Sequence, residues 1–287
     1  MIQFPLQAAQ GLFNSAIALL PSSTGHALQL LAQSVQSSRG SATRTAFGVE
    51  GDAQNGVKPY DVVAGVAIIP VKGILIQRLD WLWEYGELFG VTGYDRLRYQ
   101  FMHALADPTV EAIAFDIDSP GGEVAGCFDL VDTIYRARGI KPLAAILGEN
   151  AYSAAFAIAS AVDPRRLWVP RTGGTGSVGV IYIHLSVAEW LRTAGITPTL
   201  ITKGDFKGET SDMLKLSKDA LARLQTDVDD VGQLFIDTVA RNRGLSTKLV
   251  EQTQAATFQG VRGVEAGFAS AVASPDAAFQ ALLKQLG

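Results

Sequence analysis

The most constraining feature of this sequence is an alternation of strand and helix patterns between residues 62 and 201. The apolar runs Val62–Ile69 and Leu143–Leu147 have the length and composition of buried strands. Residues 94–106 and 123–138, by contrast, carry helical patterns. Strands that alternate with helices join through right-handed crossovers into a mainly parallel sheet covered by helices. The sequence therefore predicts an α/β fold.

Shorter patterns predict the remaining elements of this fold. Apolar positions spaced by three and four residues predict a long helix over 217–242, which Gly244 ends. Further strands are predicted at 70–75, 113–118, 167–169, 180–183 and 197–201, and further helices after Ser153, at 187–193, after Ser246 and from Asp276.

The N-terminal part of the chain differs from the rest. Residues 6–36 carry a helical pattern that Pro21 interrupts, and residues 37–60 are rich in Ser, Gly, Thr, Asn and Asp. We therefore predict two parts: a helical segment with a flexible linker over 1–60, available for contact with a partner, and a main domain over 61–287.

Charge and composition exclude several function classes. The 287 residues carry a formal net charge of −4 without a basic block, which argues against a nucleic-acid-binding protein. Cys127 is the sole cysteine, so the chain forms no internal disulfide, and His26, His103 and His184 lack metal-ligand spacing. We predict neither a metal nor another cofactor.

No membrane anchor is predicted either. The longest apolar run near the start of the sequence, Ala16–Leu20, is too short to span a bilayer. No basic residue precedes it, which argues against a signal peptide.

Three predicted loops carry residues suited to chemistry, and the loops after parallel strands meet at one edge of a sheet. Asp118–Gly122 contains a Pro-Gly-Gly turn whose N–H groups would suit an oxyanion or a phosphate, although it matches neither a Walker loop nor a dinucleotide fingerprint. Ser153 stands where a helix follows a strand, as a nucleophile or simply as the helix N-cap. The third loop spans Lys203–Glu209.

A nucleophilic serine needs a base. His184 lies near a predicted strand end and is the weaker candidate. Serine–lysine pairs are a known variant of the catalytic triad. A lysine acts as a base only when it is neutral, and burial favours the neutral form.

These motifs, in their order, resemble the S49 peptidases, the signal-peptide-peptidase-A-like serine proteases with a crotonase/ClpP-type fold. The resemblance covers about residues 62–272, and within the family it is closest to the head-maturation (prohead) proteases of tailed phages. It is carried by Asp118-Ser119-Pro120-Gly121-Gly122, Ala151-Tyr152-Ser153-Ala154-Ala155, Thr175-Gly176-Ser177-Val178-Gly179-Val180 and Gly204-Asp205-Phe206-Lys207.

The resemblance implies roles for individual residues. Ser153 becomes the nucleophile and Lys207 the general base, with Lys203 as the fallback. Gly121 or Gly122 supplies an oxyanion-hole N–H, and Ser177 orients the lysine. This chain departs from the family pattern at three places: Ala154-Ala155 replace a glycine pair, Phe206 replaces His or Tyr, and Gly208 replaces Asp or Ser.

The resemblance also implies a function. We expect a serine endopeptidase with a Ser–Lys dyad and no cofactor, which cuts phage scaffold or portal proteins during prohead maturation. It would act in the host cytoplasm or inside the prohead, as a ring-like homo-oligomer whose active sites are completed between neighbouring subunits.

Three alternatives stay open at this stage. The first is a crotonase-like acyl-CoA hydratase or isomerase, for which Glu123 and Glu149 would be the acid–base carboxylates. The second is an S49 peptidase that degrades signal peptides. The third is a non-catalytic capsid-assembly scaffold, against which the intact Ser153 and Lys207 argue.

Overall fold

The computed structural model describes residues 16–19, 58–79 and 90–287. The strands are β1 (Ala16–Leu19), β2 (Asp61–Val63), β3 (Val66–Ile76), β4 (Val91–Gly93), β5 (Ala112–Glu123), β6 (Leu143–Tyr152), β7 (Leu167–Val169), β8 (Gly174–Gly176), β9 (Ile181–Tyr182), β10 (Thr257–Gln259) and β11 (Ala271–Val272). The helices are α1 (Tyr94–Ala106), α2 (Cys127–Arg136), α3 (Ala154–Ser160), α4 (Ala188–Thr193), α5 (Lys218–Arg243), α6 (Thr247–Gln252), α7 (Val261–Glu265) and α8 (Pro275–Leu286).

The strands form a single, mainly parallel sheet. β3, β5 and β6 are its parallel centre, where Phe115 on β5 lies opposite Ile69 on one side and Ala145 on the other. β6 then pairs in parallel with β7 near its start and with β8 near its end. The antiparallel pairs are β1 with β5, β1 with β9, β2 with β3 and β8 with β10. The predicted α/β class is confirmed.

Helices cover both faces of this sheet because successive residues of a strand point to opposite sides. Ile113, Phe115 and Ile117 of β5 join the larger core, to which α1, α2, α3 and α5 also contribute buried side chains. Ala112 and Ala114 belong to a second, smaller core, into which α8 packs Ala278 and Leu282.

Helix α5 confirms the prediction of a long helix over 217–242. The Ser217 hydroxyl accepts a hydrogen bond from the Ala220 N–H at its start, and Gly244 ends it with a φ of 68°. Although α5 has 26 residues, most of its exposed residues are polar or charged. None of the helices in the described parts of the chain has the length and apolar character that a bilayer span requires.

The prediction of a loop over Asp118–Gly122 is wrong. β5 continues to Glu123, and α2 begins only at Cys127 rather than at Glu123. The ladder continues because β3 bends with the strand: Ile74 and Leu75 lie opposite Gly121 and Gly122 after a register shift. A partner strand far away in sequence therefore decides that this glycine-rich run is extended.

Other element predictions also differ from the structure. Thr197–Ile201 does not form a strand, and the Ile201 side chain is 95% exposed, because no neighbouring strand in the described residues lies beside it. The helix predicted over 6–36 is wrong at Ala16–Leu19, whose backbone pairs with two strands of the sheet. The rest of 6–36 and residues 37–57 lie outside the described residues, so the boundary at residue 60 stays a prediction.

Arg138 stabilises the end of the Ser153 helix. Its Nε donates to the Ala161 carbonyl at 2.9 Å, and its Nη2 donates to the carbonyls of Ser160 at 2.8 Å and Asn242 at 2.9 Å. A cation at a helix C-terminus also interacts favourably with the helix dipole. Arg138 thus ties α3 to the end of α5.

We expect Arg138→Met to lower the free energy of unfolding by about 2–4 kcal/mol, because three carbonyls lose a charged donor. Urea denaturation of the purified variant measures the change. Arg136→Met is the matched control, since Arg136 is 77% exposed in a surface ion pair with Asp132, and its effect should stay below about 0.5 kcal/mol. Equal losses in the two variants would contradict this role for Arg138.

Candidate active site

Ser153 occupies a strained turn between β6 and α3. Its φ of 54° and ψ of −123° lie in a region that L-residues rarely adopt. The N–H donates to the Gly176 carbonyl at 2.8 Å, and the carbonyl accepts the first hydrogen bond of α3 from Ala157. The backbone on both sides of Ser153 is therefore held in place by the sheet and the helix.

The Ser153 hydroxyl does not act as a helix cap. It makes no capping hydrogen bond to α3, so the alternative of a simple N-cap is wrong. Among the described residues the hydroxyl makes one hydrogen bond, a long one of 3.5 Å to the Gly179 carbonyl, and the residue is 1% exposed in the isolated chain. A serine held with positive φ at a strand–turn–helix junction is the arrangement known as a nucleophile elbow.

This elbow adds a backbone donor that the sequence reasoning missed. In nucleophile elbows the N–H of the following residue points to the oxyanion position, and here that residue is Ala154 at the start of α3. The signal was present in the sequence, because Ala154 directly follows the predicted nucleophile.

The structure brings the glycine pair of β5 level with Ser153. Ser119 pairs with Ala151 on the parallel β6, so two residues further along each strand lie Gly121 and Ser153. The Gly121 N–H donates to the Ser119 hydroxyl at 3.1 Å, and this hydroxyl donates to the Gly73 carbonyl at 2.6 Å. The Gly121 N–H thus already has an acceptor, and the oxyanion role of either glycine stays a prediction.

Gly122 allows two strands to approach closely. A Cβ atom at this position would lie 1.8 Å from the Leu75 carbonyl oxygen, which no side chain tolerates without a backbone shift. The glycine is needed here for space rather than for an unusual φ.

Ser177 also lies beside Ser153. Tyr152 pairs with Gly176 on the parallel β8, so the two serines follow paired residues on neighbouring strands. Ser177 has a φ of 56°, is 7% exposed and donates its N–H to the Ala256 carbonyl at 2.9 Å. Among the described residues its hydroxyl has no hydrogen-bond partner, so it can bind a group that is brought to the site.

Neither Lys207 nor Lys203 forms a hydrogen bond with Ser153 in the described part of the single chain. Both lie exposed in the turns between α4 and α5. Within the described residues the Lys207 side chain has neither a hydrogen bond nor an ion pair, and its backbone N–H donates to the Gly204 carbonyl at 3.2 Å. Phe206 is 63% exposed, and its ring stacks under the Arg223 guanidinium at 4.2 Å.

His184, the rival base, is half-buried just after β9. Its Nε2 is buried without a hydrogen-bond partner among the described residues. It makes no hydrogen bond to Ser153, so the structure does not form a serine–histidine pair.

The carboxylates of the hydratase alternative each have a structural partner. Glu123 accepts a hydrogen bond of 2.6 Å from the Gln77 N–H, and burial raises the pKa of this carboxyl. Glu149 accepts from the Thr172 hydroxyl at 3.1 Å. In the described residues there is also no cluster of three or more His, Cys, Asp or Glu able to hold a metal ion.

The comparison with known families identifies the class of protein. Residues 136–287 match the model of peptidase family S49. This stretch is more than half of the chain and includes Ser153, Ser177 and Lys207. The chain therefore belongs to peptidase family S49.

Individual relatives place the chain more narrowly. It is 41% identical to the head-tail preconnector protein GP5 of Enterobacteria phage P21 over 210 residues. These residues are 73% of this chain and 41% of the relative. It is 37% identical over 218 residues to the capsid assembly protease C of Escherichia phage lambda, with 76% and 48% covered. The chain thus spans less than half the length of these two relatives.

Two more distant similarities were also found. A putative signal peptide peptidase SppA of Enterococcus faecium is 23% identical over 181 residues, which cover 62% of this chain and 52% of the relative. Among solved structures, a point mutant of ClpP1 from Listeria monocytogenes is similar with a TM-score of 0.43 and 11% identity, over 72% of this chain and 90% of that one.

We expect Gly122→Ala to lower the free energy of unfolding by about 2–3 kcal/mol, because the added methyl meets a backbone oxygen rather than a movable side chain. Gly232→Ala is the matched control, since nothing lies within 4 Å of a Cβ at that helical position. The control should stabilise by about 0.5–1 kcal/mol. Denaturant titration of both variants measures the difference, and two similar values would show that the close approach to β3 does not constrain residue 122.

Proposed function

We propose that this chain is a serine endopeptidase that uses a Ser–Lys dyad of Ser153 and Lys207. The observation that carries the proposal is the elbow at Ser153, where a strained serine keeps its hydroxyl out of the helix-capping role. Strain of this kind costs about 1–3 kcal/mol, persists where the surrounding structure holds it, and is concentrated at active sites. Membership of a peptidase family supports the same reaction class.

The reaction follows from these positions. Ser153 Oγ attacks the scissile carbonyl carbon while the neutral Lys207 amine takes the hydroxyl proton. Backbone N–H groups stabilise the oxyanion of the tetrahedral intermediate, and the candidates are those of Ala154 and of Gly121 or Gly122. Lys207 returns the proton to the leaving amine, and water then hydrolyses the acyl-enzyme. Ser177 orients the lysine.

The base is supplied by a neighbouring subunit. Ser153 is buried whereas Lys207 is exposed and without a side-chain partner in the described part of the chain, so one chain holds two separated halves of a site. Large apolar side chains are exposed in the stretch 185–213 that contains Lys207, as a self-association surface requires. They are Leu185, Trp190, Ile196, Ile201, Phe206 and Met213.

Association on this surface would also activate the lysine. Contact with a second copy removes water from the amine, and desolvation favours its neutral form. A homo-oligomer that completes its active sites between neighbours therefore explains both the exposed lysine and the exposed apolar residues.

The proposed substrates are polypeptides of an assembling phage head, such as scaffold or portal protein, cut inside the host cell or the prohead. The support is the similarity to the capsid assembly protease of phage lambda. An acyl-CoA hydratase would not need an activated serine, so a fluorophosphonate probe separates the two classes: labelling of Ser153 supports the peptidase. Cleavage of signal peptides with head proteins left intact would favour the signal-peptide alternative.

We expect Ser153→Ala to reduce the cleavage rate of a head-protein substrate by about 10⁴- to 10⁶-fold, as removal of other serine-protease nucleophiles does. Because the methyl fits the space of the serine Cβ, the free energy of unfolding should change little. Cleavage assays and urea denaturation on the same preparation test both statements. Activity near that of the unmodified chain would remove Ser153 from the mechanism.

Two inactive variants should restore each other. Ser153→Ala and Lys207→Met are each expected to be inactive, but a mixed oligomer combines an intact serine with an intact lysine from its neighbour. Co-production in equal amounts should recover about a quarter of the full activity if subunits assemble at random around a symmetric ring.

The base assignment has its own controls. Lys203→Met and His184→Ala should each keep most of the activity. An inactive His184→Ala beside an active Lys207→Met would make the histidine the base. Inactivity of both dyad variants without recovery on mixing would place the pair within a single chain.

A further inference from the structure

Strand β1 fills a gap in the sheet beside Ser153. β6 leaves the sheet at Ser153, where the chain turns into α3, whereas β5 continues to Glu123. β1 takes the place beyond the end of β6: it pairs with β5 along one edge and with β9 along the other. Since β3 holds the opposite edge of β5 at Gly121 and Gly122, β1 lies on the β6 side.

The direction of β1 points its C-terminal end at the nucleophile. Leu19 pairs with Gly121, Ala18 with Gly122 and Ile17 with Glu123, in antiparallel register. Gly121 is the residue that the β5–β6 register places level with Ser153. The chain of β1 therefore runs from the outer end of the cleft inward and reaches the level of Ser153 at Leu19.

The pairing along its second edge places β1 between two strands, rather than at the outer edge of the sheet. Ala16 pairs with Tyr182 and Ile17 with Ile181. An extended peptide bonded on both sides is held in one register, because its backbone groups are satisfied by two strands at once. This is how an extended peptide is presented to a nucleophile at the end of a cleft.

From this placement we infer that the chain is its own substrate: residues 16–19 are bound in the cleft as a peptide, and Ser153 hydrolyses the Leu19–Leu20 bond. The inference rests on the proposed peptidase function. Ser153 Oγ bonds to the Leu19 carbonyl carbon, the C–N bond to Leu20 breaks, and the hydroxyl proton goes through the base to the new Leu20 amine. Water then releases the Leu19 carboxylate and regenerates the hydroxyl.

The same placement makes the uncut chain a poor enzyme for other substrates. While β1 pairs with β5 and β9, no second peptide can bind to those edges. Release of the cut segment frees them, so self-cleavage would precede cleavage of other proteins.

The test is intact-mass measurement and N-terminal sequencing of the full chain during incubation, with a labelled unfolded protein present as an external substrate. We expect a product that begins at Leu20. The Ser153→Ala variant should stay uncut.

Proline variants test the role of the strand pairing. Adjacent N–H groups of a strand point to opposite neighbours, so Ile17→Pro removes a donor on one edge of β1 and Ala18→Pro removes one on the other. Each should slow self-cleavage by about tenfold or more while cleavage of the external substrate stays equal or becomes faster. Ala8→Pro, in the same segment but outside β1, should cut itself at the unmodified rate.

If a proline variant fails to fold, a synthetic peptide of residues 11–24 tests the same bond as a separate substrate. The unmodified enzyme should cut this peptide between Leu19 and Leu20, and should leave its Ile17→Pro version intact.

The outcomes separate this inference from the proposed function. If the external substrate is cut while the chain and the peptide stay intact, or are cut at another bond, the self-substrate inference is wrong and the peptidase stands. The inference also fails if the proline variants cut themselves at the unmodified rate. If nothing is cut, the peptidase proposal fails, and the self-substrate inference fails with it.

Discussion

The parallel ladder between β5 and β6 is the constraint on which the rest of the site depends. Its register sets Ser119 opposite Ala151 and so brings Gly121 level with Ser153, although the two residues are far apart in sequence. Because β6 ends there and β5 does not, the ladder also creates the cleft that β1 fills. This ladder thus positions Ser153 and the glycine pair, and leaves free the edge of β5 with which β1 pairs.

The strained backbone at this edge is held in place by hydrogen bonds on both sides. Ser153 and Ser177 both have positive φ, which costs free energy at each position. The Ser153 backbone is bonded to Gly176 and to α3, and the far end of α3 is tied down by Arg138. Because α3 is held at both ends, it keeps Ser153 in its turn. The contacts that stabilise the core therefore also fix the geometry of the site.

The exposed segment between α4 and α5 has the opposite character. Lys207 and several apolar side chains of this segment are exposed in the single chain, and Ile201 is 95% exposed. Self-association would bury this surface and bring Lys207 to a neighbour's Ser153. In the structure β1 fills the cleft, so under the two proposals above assembly and self-cleavage would be two separate requirements for activity. A protease that must not act before its particle has formed would benefit from both.

The sequence by itself determined the α/β class, the helix over 94–106, the strand-to-helix position of Ser153 and the family, because these depend on local periodicity and on ordered motifs. Only the tertiary structure decided the extended state of Ser119–Gly122, since β3 supplies the partner strand. It likewise made Ala16–Leu19 a strand rather than a helix, because the pairing groups lie more than 100 residues away along the chain. Local sequence patterns indicate which face of an element is apolar. They do not indicate which distant segments pair through their backbones.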